Sequence, residues 1–240
     1  MRRHLGRVRG NMEVRKVTEG ATHALDRRRS VIATLAAAGI AGPLLFTVVA
    51  VVHSLLRSDH SLAALPISAL AVGPSGWVQD LNFVICGLLF LAYPIGLHLE
   101  VRKRRGGVVG PALLVVSGAG LVLAGIFPAV DASGHLTYDS LGHTVASFMA
   151  FLGTGGGFIV ISRRLAGDPN WRNFAPYTLG SGIAIVVLVF AFGALAEEPG
   201  APLHPWIGLF QWVVVAVWIT CTVVLCLRLL RATRAADAPR

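Results

Sequence analysis

Charge is what this chain has least of. Asp, Glu, Lys and Arg make up 14% of its 240 residues, against 55% hydrophobic residues and a mean hydropathy of +0.69. A soluble domain of this length needs far more polar residues to cover its surface, so the composition excludes one and points to an integral membrane protein. Acids are the scarcer sign, 12 against 21 Lys and Arg, for a net charge of +9. Cysteine is nearly missing as well: Cys86, Cys221 and Cys226 lie inside apolar runs, with neither a disulfide framework nor metal-ligand spacing. They read as small buried hydrophobes. No Walker loop, dinucleotide fingerprint or zinc signature occurs, so none of the function classes those motifs mark has support.

What the chain does have is long apolar runs. A helix rising 1.5 Å per residue needs roughly 20 apolar residues to cross the hydrocarbon layer. Six stretches qualify: 31–56, 77–99, 108–127, 141–161, 176–196 and 206–230. The predicted fold is therefore all-α, a polytopic transmembrane bundle of six helices over residues 30–231. Ser30 is a plausible N-cap for the first span. Trp77, Tyr177 and Trp206 stand at span ends, where amphipathic rings favour the interface.

The basic residues are placed by topology. Residues 1–29 form a basic tail with nine Lys or Arg, read as disordered, with Met12 as an alternative start. Arg102–Arg105 supply four more, Arg163, Arg164 and Arg172 three, and Arg228, Arg231, Arg234 and Arg240 four, the last within or beside a short C-terminal tail, 232–240. With the N-terminus inside, 20 of the 21 lie on the cytoplasmic side and only Arg57 lies outside. This bias predicts a multi-pass protein of the cell membrane with both termini cytoplasmic. The charge is thus a topology signal and a match to anionic membrane lipids, with no nucleic-acid partner, since no aromatic residues interleave the tail's charges.

Glycine and proline shape the spans. Gly42-Pro43 and Gly110-Pro111 fall early in the first and third spans, a hint of a helix-pair repeat. Gly118, Gly120 and Gly125, then Gly153, Gly155, Gly156 and Gly157, read as close-packing faces, the last three alternatively as a hinge. The first outer loop, 57–76, is long and apolar; Leu62, Leu65, Ile67 and Leu70 suit a segment lying on the membrane or folding back between helices.

The remaining polarity gathers at the outer side. His53, His60, His135, His143 and His204 fall there with Asp59, Asp80, Asp131, Asp139, Glu197 and Glu198: 5 of 8 histidines and 6 of 12 acids. An ionisable group at membrane depth is costly, so each is a candidate functional residue. Asp139 and His143, four apart at a helix start, share one face; the pair suits a carboxylate-oriented general base or a metal site, although Asp139 equally suits an N-cap. Asp131 reads as an exposed loop acid or as a partner for His143, and Ser68 as a nucleophile if a base approaches it. Asp80, Asn82, Gln211 and His53 read as polar groups bonding between helices. Whether a metal or other cofactor belongs here is left open by the residues alone.

In order along the chain, Ala41-Gly42-Pro43, Ile67-Ser68-Ala69-Leu70, Asn82-Phe83 with Gly87, Gly125-Ile126-Phe127-Pro128, Gly142-His143 and Gly208-Leu209-Phe210-Gln211 resemble the bacterial six-span family termed domain of unknown function 998. The likeness runs from about Gly42 to Leu230 and implies a fold and a membrane location, but no activity. The chain departs from the family pattern at Ala69, at Trp212, and in one extra residue between Pro128 and Asp131.

Two functions are consistent with these residues. One is non-catalytic: an accessory protein packed against another membrane protein or itself, or a binder of a small molecule or lipid. The nearly apolar middle of the spans argues against ion-coupled transport. The other is an outward-facing hydrolase or transferase acting on a lipid, with Ser68, Asp131, Asp139 and His143 in its pocket and with or without a divalent metal.

Overall fold

A computed structural model describes residues 2–101, 107–130, 137, 140–197 and 200–235. The described residues are helical with short connections: α1 (Arg2–Leu56), α2 (Gly76–Phe90), α3 (Ala92–Glu100), α4 (Val109–Ile126), α5 (Leu141–Ala166), α6 (Ala175–Phe192) and α7 (Ile207–Ala235). Six segments are long and apolar enough to cross a membrane, with α2 and α3 counting as one.

Three sequence expectations change. Helical backbone runs unbroken from Arg2 to Leu56, back through the basic segment set apart as a tail. Ser30 is therefore no N-cap; it is a mid-helix residue whose carbonyl accepts the Thr34 hydroxyl at 3.1 Å. For the same reason Pro43 lies deep inside α1 rather than near its start, whereas Pro111 sits in the first turn of α4, so the two Gly-Pro dipeptides are not equivalent. The second crossing is interrupted at Leu91. Pro94 accounts for this: it offers no N–H to the Phe90 carbonyl four residues back, and its ring crowds that carbonyl.

The crossings form a closed ring in chain order. α1 lies against α2 and α3, α2 against α4, α4 against α5, α5 against α6, α6 against α7, and α7 returns to α1. Lipid chains are as apolar as leucine, so burial alone does not hold such helices together; close approach and polar contacts must. At the α4–α5 seam, a Cβ on Gly120 would come 2.7 Å from the Ala146 carbonyl oxygen, so only glycine permits that approach. Along the same seam the Ser117 hydroxyl donates to the Ala150 carbonyl (2.7 Å) and lies 2.6 Å from the Thr154 hydroxyl. Gly155 and Gly182 bring α5 and α6 together in the same manner, which makes Gly155 a packing residue. The centre is aromatic: Trp218 meets Phe46 and Phe90 edge-on, with ring centroids at 6.2 and 5.5 Å, and Phe90 contacts the buried Tyr93.

With six crossings, α1 begins and α7 finishes at the same end, where the Arg residues collect. Arg164 is only 6% exposed there. Its guanidinium donates to the carbonyls of Gly107 (2.8 Å), His98 (3.1 Å) and Val101, satisfying the C-terminal turn of α3. Arg28 donates to the Leu99 carbonyl beside it. Arg228 donates to the Asn170 carbonyl (3.1 Å) and lies over the Trp171 ring, 5.2 Å from its centroid.

Candidate functional site

At the opposite end, the connection after α1 folds into the bundle. Its 3-10 turn, Ile67–Ala71, is buried at every residue. An apolar loop reaches that position only if its backbone polar groups find partners. Gln211 of α7 supplies one, its Oε1 accepting the Ile67 N–H at 2.5 Å. Arg57 supplies two more, donating to the carbonyls of Leu70 (3.1 Å) and Val72 (2.8 Å). The N–H groups of Gly208 and Leu209 both reach the Ala63 carbonyl, at 3.0 and 3.2 Å. Of the two placements open to this segment from the sequence, it takes the fold-back one.

The loop carries its own electrostatics. Arg57 grips Asp59 with two hydrogen bonds (3.0 and 2.5 Å), which hold the Asp59 carboxyl down at about 2 and raise the guanidinium. His60 lies 2.7 Å from the Ser54 hydroxyl through Nδ1 and 3.4 Å from the Pro66 carbonyl through Nε2. Only a protonated Nε2 can donate to that carbonyl, so Nδ1 accepts from Ser54. Burial pushes the His60 imidazole below its usual range.

The fold-back turn forms one wall of a cavity of about 140 Å³. The other walls come from the α4–α5 connection (Ala129, Thr137, Ser140), from α5 (His143, Ser147, Phe151), from Val189 and Phe192 of α6, and from Gln211 and Val214 of α7. A smaller chamber of about 30 Å³ shares Ser68, His143, Ser147, Phe151 and Gln211 with it and reaches inward to Phe46, Phe83 and Trp218. Ser68, His143 and Gln211, 75 and 68 residues apart in sequence, thus face one space.

His143 is held by helix ends. Its Nδ1 lies 2.9 Å from the carbonyl of Phe127, the C-cap of α4, so Nδ1 carries the proton. Phe83 meets the ring edge-on at 6.5 Å. Gly142 makes the approach possible, since a Cβ there would sit 3.0 Å from the Phe127 side chain. The Phe-Pro and Gly-His pieces of the sequence are therefore two halves of one contact.

Several polar groups face the cavity unengaged. Ser68 is 7% exposed, and among the described residues its hydroxyl has no hydrogen-bond partner. The same holds for the Ser147 hydroxyl and for the amide nitrogen of Gln211, whose oxygen is engaged by Ile67. Among the described residues no carboxylate and no Lys or Arg lines either chamber.

The other candidates lie apart. Asp131 and Asp139 fall outside the described residues, as does His135. The N-cap of α5 is Ser140, so the cap expected at Asp139 belongs one residue later; the Ser140 hydroxyl turns to the Pro128 carbonyl instead of capping. Among the described residues no three His, Cys, Asp or Glu side chains group to hold a metal ion. Asn82 donates to the Phe46 carbonyl of α1 (3.1 Å) and to Gln79 Oε1 (3.2 Å), and His53 Nε2 lies 3.1 Å from the Ser75 hydroxyl. Asp80 leaves a buried oxygen without a partner, as do His53 Nδ1 and the amide nitrogen of Gln79. Sequence reasoning passed over Ser147, Thr144 and Gln79. Ser147 follows His143 at i+4, a signal available but hidden among ordinary helix hydroxyls.

A family model described as "Protein of unknown function (DUF998)" matches residues 40–228. No curated protein and no solved structure matches the chain. The matched span contains every wall of both chambers.

Proposed function

We propose that this chain, which belongs to the DUF998 family of multi-pass membrane proteins, binds the uncharged polar head of an amphipathic molecule in the cavity opposite its termini. One observation carries the reading: Ser68, almost fully buried, presents a hydroxyl with no protein partner among the described residues to a space shared with Ser147, Gln211 and His143. Buried polar groups left without partners cost free energy, and a ligand's oxygens can supply what is missing. Among the described residues the lining holds no fixed charge, which disfavours a phosphate or carboxylate head. A volume of about 140 Å³ suits a group of benzene size, since an apolar cavity of about 150 Å³ holds one. The apolar remainder of the ligand stays among the helices or in lipid. The positive-inside bias supports a cavity at the outer face of the cell membrane, with both termini cytoplasmic.

A second reading has one specific observation in its favour. The Phe127 carbonyl orients His143 in the way a carboxylate orients a catalytic imidazole, and Ser68 shares its cavity. Ester hydrolysis or transfer would then use Ser68 as nucleophile and His143 as base. No Ser68–His143 hydrogen bond is formed among the described residues, and binding is therefore preferred.

Monoolein, an uncharged glycerol ester, tests both. The expected result is that it raises the unfolding temperature of the purified protein, raises that of Ser68→Ala by less, and does not raise that of Ser147→Phe, which fills the cavity. Absence of any shift in the wild type overturns the binding reading. Oleate release by the wild type and not by Ser68→Ala would replace it with the hydrolytic one.

A further inference from the structure

A second recess lies on the other half of the bundle. Between α6 and α7 an open groove of about 510 Å³ is lined by Pro176, Tyr177, Gly180 and Ala184 on one side and by Ala216 and Thr220 on the other. It arises because small side chains meet small side chains where α6 is least covered: 22% of its apolar window is buried, against 50% for the α2–α3 crossing. The groove is confined to one leaflet. Pro176 to Ala184 spans eight helical steps, about 12 Å, which is less than half of a hydrocarbon core roughly 30 Å thick.

Charge marks one end of it. Arg172 precedes Pro176 by four residues, and its exposed side chain has no hydrogen bond or ion pair among the described residues. Arg228 is drawn to the same turn by the Asn170 carbonyl. Arg231, also exposed and also unengaged among the described residues, is three residues further on α7 and so on the same face. α7 contains no acid. The one carboxylate of the turn, Asp168, is 5% exposed and accepts the Asn170 N–H at 2.9 Å. Tyr177, 40% exposed, supplies an aromatic group at the level where a headgroup meets the chains.

We propose that this groove is a binding site for an anionic phospholipid of the leaflet at the basic end, its phosphate at Arg172 and Arg231 and one acyl chain along Tyr177, Gly180 and Ala184. Small residues on both walls leave room for a chain, and the cations at one end select the charge of its head. The site is independent of the cavity, which lies in the other half of the bundle and, among the described residues, holds no fixed charge.

The test exploits Gly180, where an added Cβ meets nothing within 4 Å, so a larger side chain fills the groove without disturbing the helices. Purified protein is titrated with phosphatidylglycerol or phosphatidylcholine and read by native mass spectrometry, with size-exclusion chromatography of each variant. Phosphatidylglycerol is expected to be retained preferentially by the wild type. Retention should fall roughly tenfold in Arg172→Gln/Arg231→Gln. It should fall similarly in Gly180→Leu, whose charges are intact. Equal retention of the two lipids overturns the proposal. So does undiminished phosphatidylglycerol binding by Gly180→Leu, which would mean adsorption by charge alone. Conversion of a wild-type dimer to a monomer by Gly180→Leu would overturn it too, making a second copy of the chain the occupant.

Discussion

The two ends of this bundle treat polar groups in opposite ways. At the basic end, guanidinium groups are turned onto backbone carbonyls: Arg164 onto three, Arg28 and Arg228 onto one each. At the cavity end, neutral donors and acceptors are left without protein partners, among them the Ser68 and Ser147 hydroxyls and the Gln211 amide nitrogen among the described residues. Arginine keeps its charge under any physiological condition and so must be paired wherever it is buried. A serine or a glutamine costs less to leave open. Fixed charge therefore serves assembly, at the cavity end through Arg57 on the fold-back turn, and the neutral polarity there is available for binding.

The sharpest way to break this contrast is Arg164→Leu. The carbonyls of His98, Val101 and Gly107 lose a donor, and the expected destabilisation is about 3 kcal/mol or more. It is read as a lowered unfolding temperature in detergent, partly restored in Arg164→Lys. A wild-type unfolding temperature would mean that the basic end is held by something else.

At the cavity end the comparable substitution is Gln211→Leu, which strands the Ile67 N–H, a group on a residue 2% exposed. About 2 kcal/mol is expected, concentrated in the fold-back turn. Hydrogen exchange should show faster exchange at 67–71 with little change at 98–101. Equal acceleration at both ends would show that they unfold together, and the contrast would not be one of local design.

The smallest effect is one of pH. Burial depresses the folded-state pKa of His60, so the unfolded chain takes up the proton first as pH falls below 6.5. The contribution of neutral His60 is complete above that value and is lost as pH falls towards the depressed folded-state value. The Arg57–Asp59 contact does not contribute in this window, because Asp59 stays ionised down to about 2. A modest fall in unfolding temperature between about pH 7.5 and about pH 5 is expected, reduced in His60→Asn. A His60→Asn profile parallel to that of the wild type would assign the dependence to other histidines.

Much of the architecture was legible in advance because membrane crossing is a local property. Twenty or so apolar residues announce a span wherever they occur, and every expected span has its helix, with ends within a few residues except at the start of the first, where the helix runs on upstream. Exceptions arose where one residue acts at a distance along the helix. Pro94 breaks the second crossing four residues upstream, at a carbonyl that hydropathy does not register. Ser30 resembles a cap, but a helix begins only where the preceding backbone leaves the helical region, and here it does not.

The candidate site was legible as a set of residues and not as a place. Ser68, His143 and Gln211 stood out as polar groups near span ends, but nothing local relates a loop serine to a glutamine 143 residues later. That relation depends on the ring order of the crossings and on the inward fold of residues 57–76, and both are products of packing. Asp131 and Asp139 lie outside the described residues, so the cavity rests on His143, Ser68 and Gln211 with Ser147 beside them.

By itself, then, the sequence determined how many times the chain crosses a membrane, which residues face hydrocarbon, and that the arginines gather at one end. Those properties are sums over neighbouring residues. Tertiary structure alone decided that the arginines cap helix ends, that an apolar loop enters the bundle, and that a buried serine looks into a cavity shared with His143 and Gln211. Each of these depends on atoms brought together from distant segments, where close approach at glycine sets the distance and an unmet hydrogen bond sets the chemistry.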